Sequence, residues 1–493
     1  MPEFQSAPFT ANSADKSDNQ IRDISDYQNL HTSIILWGMK ISFKNTTKIL
    51  CLMCFAVCVI SCSGKSKKNN APEFSNPMAK AFMNAQNSDK PKDKKAEDKK
   101  DEPAPVLQVN PLEIISFNRD KAVVDTGSKS FNERKAIDIV RDMKTGWNLG
   151  NTFDATGGGK GLGAEMSWGQ PKTTKEMIDG LAASGIKTIR IPVSWSRHII
   201  DNNYTISPEW MSRVKEVVDW AIEDGMYVVL NIHHDNFEKN AKMPALSGFY
   251  PTDQNYENSA KFVCNTWAQI ALAFNNGYDE HLVFEVLNEP RLVGTTEEWY
   301  YNAVSPKSIS AMKNLNKLTQ NILDVIRASD GNNKKRLVAV PSLQASPESA
   351  LASTFKMPQD FDGSKDRLIV SIHMYTPYNF AMESPGIKEY SEKVKKEFTS
   401  MFKKLNDQFI VNGYAVYIGE YGATNKNNLE DRVAWFHDFI KESRAYGMPC
   451  FLWDNGIWKV EDNKYDEHYG YYNRTAQTWY FPEIIKAINE ETK

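Results

Sequence analysis

The chain predicts a (β/α)8 barrel set behind a long non-globular N-terminal region, and three observations carry that reading. From about Val106 onward, eight short apolar runs alternate with helical stretches. The runs are continuously apolar rather than alternating, as befits a parallel sheet covered on both faces. Polar residues gather at the C-terminal ends of those runs, the end where such a barrel keeps its chemistry. A doubly wound open sheet is the alternative, but Gly157-Gly158-Gly159 has neither the spacing nor the following helix of a phosphate-binding turn.

In chain order, the strand candidates are residues 146–151, 188–195, 227–234, 282–289, 336–343, 368–375, 415–421 and 449–454. Between them the helical patterns run over 173–184, 207–223, 256–274, 308–328, 388–410 and 429–446, most stopping at a glycine such as Gly185, Gly225 or Gly447. The fifth crossover, 345–355, has the weakest pattern, and a last helix over 484–490 closes the ring.

Residues 1–62 do not read as fold. From Met39 the order is basic (Lys40, Lys44, Lys48), apolar (Ile49 to Ile60), then Ser61-Cys62, which describes a secretory signal too short to span a bilayer. Its close resembles a bacterial lipobox, with Cys62 as the lipidated residue, so a secreted or cell-surface lipoprotein is expected, an ordinary signal peptide cut nearby being the alternative; residues 1–38 would then be a tag or an over-extended start. Residues 63–105 are rich in Lys, Asp, Glu, Asn, Ala and Pro, a composition that cannot offset its own ordering entropy and predicts a disordered linker. Residues 106–493 are expected to form the barrel domain. Its two cysteines, Cys264 and Cys450, fall in apolar stretches and read as buried free thiols.

A net charge of -3 over 493 residues excludes a typical nucleic-acid binder, which shows a basic face. Aromatic residues make up 11%, and several stand beside polar loop residues, as stacking on sugar rings requires. Two glutamates, Glu289 and Glu420, end the fourth and seventh runs. Two carboxyls at one end of a barrel are the minimum equipment for cutting a glycosidic bond: one gives a proton to the leaving oxygen, and the other, ionised, attacks the sugar or activates water. Arg190 lies inside an apolar strand, where an unpaired cation is costly, so it must meet a carboxylate. His373 and Tyr375, two residues apart on a strand, face the same side. His233 and His234 are adjacent, so in strand geometry only one points inward; that makes them poor joint ligands, and no metal or other cofactor is expected.

The segments Gly146-Trp147-Asn148-Leu149-Gly150-Asn151, Trp168-Gly169-Gln170-Pro171, residues 188–195, Asn231-Ile232-His233-His234, Leu287-Asn288-Glu289-Pro290, His373-Met374-Tyr375, Gly419-Glu420-Tyr421-Gly422 and Trp453-Asp454 resemble, in order, glycoside hydrolase family 5, most closely its subfamily 4 of endoglucanases and xyloglucanases. The resemblance implies Glu289 as acid/base and Glu420 as nucleophile of a retaining endo-β-1,4-glucanase. It pairs Arg190 with Glu420, puts Asn288 on the sugar 2-hydroxyl, and sets His373 and Tyr375 beside the nucleophile. It makes Asn148, His233, His234 and Trp453 substrate contacts, Trp453 as the stacking platform. Trp168, Trp195, Trp299 and Trp458 are further candidates for platforms or for packing, whereas Trp267 and Trp435 sit in helical patterns and read as core.

The expected partner is a β-glucan, with no nucleic acid, with membrane contact only through Cys62, and with the protein a monomer. Xyloglucanase, mixed-linkage glucanase, xylanase or mannanase action on the same fold is the nearest alternative, decided by loops 154–164 and 236–256. A non-catalytic carbohydrate-binding lipoprotein would have no need of a matched acid and nucleophile. A metal-dependent barrel hydrolase would lose activity to a chelator.

Overall fold

Eight parallel strands close into one barrel in sequence order, the first pairing with the last through Thr145↔Cys450, Gly146↔Phe451 and Trp147↔Leu452. The structure, a computed structural model, describes residues 109–492 apart from 159–160, 238–246 and 461–466. The signal segment, Cys62 and the linker of residues 63–105 lie outside the described residues. Among the described residues no helix is long and apolar enough to cross a membrane.

The strands are β1 (Thr145–Asn148), β2 (Thr188–Ile191), β3 (Tyr227–Asn231), β4 (Leu282–Glu285), β5 (Val338–Pro341), β6 (Leu368–His373), β7 (Ala415–Tyr421) and β8 (Cys450–Leu452), and every strand residue is buried. Most are shorter at their C-terminal ends than the apolar runs suggest. Beyond those ends the backbone takes side-chain partners in place of ladder partners, as where Val193 N–H donates to Asn231 Oδ1 at 3.1 Å. Asn288, Glu289, His233, His234, Tyr375 and Trp453 therefore sit just beyond the strand ends, whereas Asn148, Arg190, His373 and Glu420 are strand residues.

The α-helices are α1 (Ala136–Asp142), α2 (Lys175–Ala183), α3 (Pro208–Glu223), α4 (Tyr256–Ala273), α5 (Pro306–Ala328), α6 (Pro347–Ala350), α7 (Tyr378–Ala381), α8 (Glu392–Leu405), α9 (Leu429–Ala445) and α10 (Pro482–Glu490). Helix α3 shows why these segments fold as they do: Pro208 opens it, the Ser207 side chain caps Trp210 N–H, and Val214, Val217, Val218 and Ala221 line one buried face. The weak fifth crossover is only the single turn α6. Helix α1 is absent from the sequence reading. Its Ala136, Ile139 and Val140, with Met143 just beyond, pack with Val229, Val283, Ala339, Ile369, Ala415, Tyr417 and Phe451 into a separate apolar cluster that floors the barrel. A two-stranded hairpin, β9 (Tyr472–Asn473) and β10 (Thr478–Trp479), is likewise an addition. Both cysteines are free and buried.

One irregularity positions chemistry. Along β6 and β7 the register runs Ile372↔Ile418 and then His373↔Glu420, so Gly419 is skipped as a bulge. A Cβ on Gly419 would stand 3.1 Å from the Tyr417 ring and 3.2 Å from Ser371 Oγ, a fit tighter than side chains ordinarily allow. Glycine there lets β7 bulge and brings Glu420 level with His373.

Candidate active site

Arg190 organises the mouth of the barrel. It is fully buried, and its five N–H donors all find acceptors: Nε donates to Glu285 Oε2 (2.8 Å), Nη1 to Asn148 Oδ1 (2.9 Å) and Glu420 Oε1 (2.7 Å), and Nη2 to Asn288 Oδ1 (2.7 Å) and, at longer range, His373 Nε2 (3.4 Å), while Nη2 also stands 2.7 Å from Glu285 Oε2 as an ion pair. The resemblance pairs Arg190 with Glu420 alone. The structure adds Glu285 at the end of β4, itself fully buried. The signal for Glu285 is the one that marks Arg190: a charged residue inside the apolar run Leu282-Val283-Phe284-Glu285-Val286-Leu287.

Glu289 and Glu420 face each other across the opening. One side-chain ligand atom from each of Glu289, His373 and Glu420 lies within 4.8 Å of the others. Tyr375 OH donates to Glu420 Oε2 at 3.1 Å, and His373 Nδ1 stands 2.8 Å from Glu289 Oε1 and 3.5 Å from Glu420 Oε2. Burial, with Glu289 alongside, raises the Glu420 carboxyl above the ordinary glutamate range, against the pull of His373 and Arg190. For Glu289 burial acts in the same upward sense, but the His373 hydrogen bond, the His373 charge and Arg291 outweigh it and hold the carboxyl low. His373 moves upward: burial opposes its charge, and the two glutamates more than compensate. Arg190 Nη2 also reaches His373 Nε2 at 3.4 Å, where the guanidinium can only donate. His373 and Glu289 thus hold one proton between them. Moving it from Nδ1 to Oε1 makes Glu289 an acid without changing the charge of the pair.

Asn148 corrects an expectation. It is fully buried, its Nδ2 donates to the carbonyls of Gly419 (3.0 Å) and Phe451 (3.0 Å), and its Oδ1 accepts from Arg190, so neither end is left for a sugar. It ties β1 to β7, β8 and the arginine. Asn288 differs: Arg190 takes its Oδ1 and thereby turns its Nδ2 the other way, available to a hydroxyl.

His233 and His234 also depart from the strand argument, because β3 ends at Asn231 and both lie beyond it. Their rings meet edge to face at 4.3 Å, and one ligand atom from each comes within 4.8 Å of one from Asp154. The donor set nevertheless suits a cation poorly. Asn231 Oδ1 accepts from Val193, so its Nδ2 is the end 3.2 Å from His233 Nδ1; that nitrogen accepts, and the proton sits on Nε2. The Asp154 oxygens accept from the backbone N–H groups of Thr152 (2.6 Å) and Asn151 (3.0 Å), while burial pushes its carboxyl up to about 7. Burial likewise drives both histidines down, His234 to about 4, so the two rings are neutral.

Trp453 follows β8, is 9% exposed, and lies parallel to His233 with centroids 5.9 Å apart. Gly150 leaves it room: a Cβ there would come within 2.9 Å of the indole. Of the other aromatic candidates, Trp195 is core, fully buried with its Nε1–H on Asn231 O. Trp168 is exposed beside His234 (5.5 Å), and Trp458 is exposed and stacked on Tyr480. Trp299 is exposed, with the Arg291 guanidinium 4.2 Å over its ring. Trp267 and Trp435 are fully buried.

The sequence pattern of cellulase (glycosyl hydrolase family 5) matches residues 151–458. This chain belongs to glycoside hydrolase family 5. Among characterised members of the family, Endoglucanase B of Ruminococcus albus is 39% identical over 357 residues, which cover 72% of this chain and 80% of that protein. Endoglucanase A of the same organism is 37% identical, covering 73% and 93%. Among solved family 5 structures, a lichenase from Caldicellulosiruptor sp. F32 in complex with cellotetraose is 39% identical with a TM-score of 0.68, covering 76% of this chain and 99% of that one. A GH5-4 broad specificity endoglucanase from Ruminococcus champanellensis with bound cellotriose is 34% identical with a TM-score of 0.66, covering 73% and 99%.

Proposed function

We propose that this family 5 hydrolase is a retaining endo-β-1,4-glucanase in which Glu289 is the acid/base and Glu420 the nucleophile. The observation that carries the reading is the spacing of the two carboxyls, whose nearest ligand atoms lie within 4.8 Å. Retention needs about 5–5.5 Å between the groups, whereas an inverting pair stands about 6.5–9.5 Å apart to admit a water. Glu289 passes its proton to the leaving glycosidic oxygen as Glu420 attacks the anomeric carbon; Glu289 then takes a proton from the water that releases the glycosyl-enzyme. Asn288, its carbonyl fixed by Arg190, turns its amide to the sugar 2-hydroxyl, and Trp453 stacks beneath the ring.

The chain that leaves would meet Trp299, because Arg291 joins the two sites: its Nη1 is 3.5 Å from Glu289 Oε2 while its guanidinium covers one indole face. Mixed-linkage glucan is a second substrate of the same site, favoured by the likeness to the lichenase. Parts of loops 154–164 and 236–256, which would decide tolerance of branches, lie outside the described residues. The Lys-rich, apolar, Ser61-Cys62 order supports attachment to a bacterial surface through a lipid at Cys62.

Product analysis on cellulose, mixed-linkage glucan, xyloglucan, xylan and mannan tests this. Internal cuts in the β-1,4-glucans, with the β-anomer as first product, are expected. Short oligomers from mannan and none from any glucan would overturn the assignment.

A further inference from the structure

Glu285 is a fully buried carboxylate with partners on both oxygens, and neither the acid/base step nor the nucleophilic step uses it. Its Oε2 accepts from Arg190 Nε and from Asn231 Nδ2 (both 2.8 Å) and lies 2.7 Å from Arg190 Nη2 as an ion pair; its Oε1 accepts from Ser371 Oγ (2.6 Å) and Tyr417 OH (3.0 Å). Donors from β2, β3, β6 and β7 thus converge on one fully buried group. A carboxylate so supplied stays ionised. Its negative charge lies against the same guanidinium that holds Glu420.

We infer that Glu285 is a positioning residue that fixes Arg190 by its Nε–Nη2 edge and, by taking up most of its charge, keeps the Glu420 carboxylate basic enough to attack the sugar. A guanidinium paired with Glu420 alone would hold that carboxylate in place and also blunt it, since an opposite charge at contact lowers a carboxyl pKa by about 1–3 units. Shared between two carboxylates, the arginine gives alignment with less neutralisation. Burial pushes both carboxyls up and Arg190 pulls both down; the pull prevails at Glu285 and burial prevails at Glu420.

The charged and titratable groups facing Glu420 are Arg190 from β2, Glu285 and Glu289 from β4 and its loop, and His373 and Tyr375 from β6 and its loop; β1 presents the neutral Asn148. Of these, Glu285 alone acts on Glu420 wholly through the arginine.

The inference rests on Glu420 being the nucleophile, so the test separates the two. Glu285→Gln removes the charge and keeps the contacts, because its amide nitrogen can donate to Ser371 Oγ and Tyr417 OH once those hydroxyls turn. In Glu285→Gln the acid limb of the kcat/KM profile on an aryl β-cellobioside is expected to fall by about one pH unit, with glycosylation slowed at the optimum. Glu285→Asp, which keeps the charge, is expected to restore the wild-type limb even at reduced rate. An unmoved limb in Glu285→Gln, with a 2-fluoro-cellobioside still trapping Glu420, would overturn the inference and leave the nucleophile intact; a label on another residue would overturn both. Should Glu285→Gln not fold, carbon-13 titration of the wild-type glutamates decides: Glu420 titrating above the ordinary glutamate range with Glu285 ionised supports the inference, and Glu420 titrating below that range overturns it.

Discussion

His373 Nδ1 and Glu289 Oε1 stand 2.8 Å apart, one hydrogen bond across which the acid proton has two places to sit. In the open pocket the imidazole holds it, since its own hydrogen bond and charge, with Arg291, favour the ionised carboxyl. A bound glucan that excludes solvent and presents a basic oxygen is expected to favour the neutral arrangement, with the proton on Glu289.

The pH profile of the wild-type enzyme should therefore be bell-shaped. Its acid limb is protonation of Glu420, displaced upward from the ordinary glutamate value, so activity falls as pH drops through that range. Its alkaline limb is loss of the shared proton, set by His373 above its ordinary 6.5, so activity falls as pH rises past it. In His373→Ala the proton has only Glu289 to occupy, and the alkaline limb is expected to move to lower pH. Measuring kcat/KM against pH for both proteins checks this, and an unmoved alkaline limb would show that the pair does not act together.

Glu289→Ala is expected to lose about 10²–10⁴-fold on unactivated cello-oligosaccharides, the usual worth of a positioned acid. Far less should be lost on a dinitrophenyl β-cellobioside, whose leaving group departs without a proton. Equal losses on both substrates would argue that Glu289 does something other than protonate.

Removing Arg190 strands two buried carboxylates at once. Arg190→Ala is expected to cost about 3–5 kcal/mol of stability, read as a lowered Tm in thermal unfolding. Arg190→Lys keeps a charge but has three donors where five are used, and a fall in kcat of about a hundredfold is expected even where the fold survives. A lysine variant of wild-type rate would mean that charge alone, without the fork of donors, aligns Glu420.

Trp299→Ala should raise KM on long glucans by roughly tenfold, the size of a lost aromatic contact of about 1.4 kcal/mol. The loop that carries the ring is well braced: Gln344 Nε2 donates to Glu298 O (3.1 Å), Gln344 N–H to Pro290 O (2.8 Å), and Tyr250 OH to Val293 O (3.1 Å). Comparing cellohexaose with an aryl cellobioside isolates the leaving side, and equal effects on the two would remove Trp299 from it.

The barrel is legible in the sequence because its strands are buried on both faces and show as unbroken apolar runs. Their C-terminal limits are less so: a run such as 227–234 stays apolar or aromatic past the point where Asn231 takes over the hydrogen bonding of Val193. Residue type also does not tell direction. Asn148 reads as a sugar contact until its amide is found spent on Gly419, Phe451 and Arg190, and the two histidines separate in a strand but meet in a loop. Glu285 goes unnoticed for a different reason. The Asn288-Glu289-Pro290 segment draws attention four residues too far along, though the physical objection to a lone charge in an apolar strand applies equally to both ends of that run. Helix α1 is short and preceded by no capping side chain, so nothing local announces it.

That floor helix settles how the reaction is supplied. With α1 at the lower end and the Glu285 cluster buried above it, the described residues leave the mouth of the barrel as the route by which water is expected to reach Glu420, the doorway the departing glucan has just used. Turnover is then a queue: a leaving chain that lingers delays hydrolysis, and a fresh hydroxyl arriving ahead of water lengthens a glucan in place of shortening it.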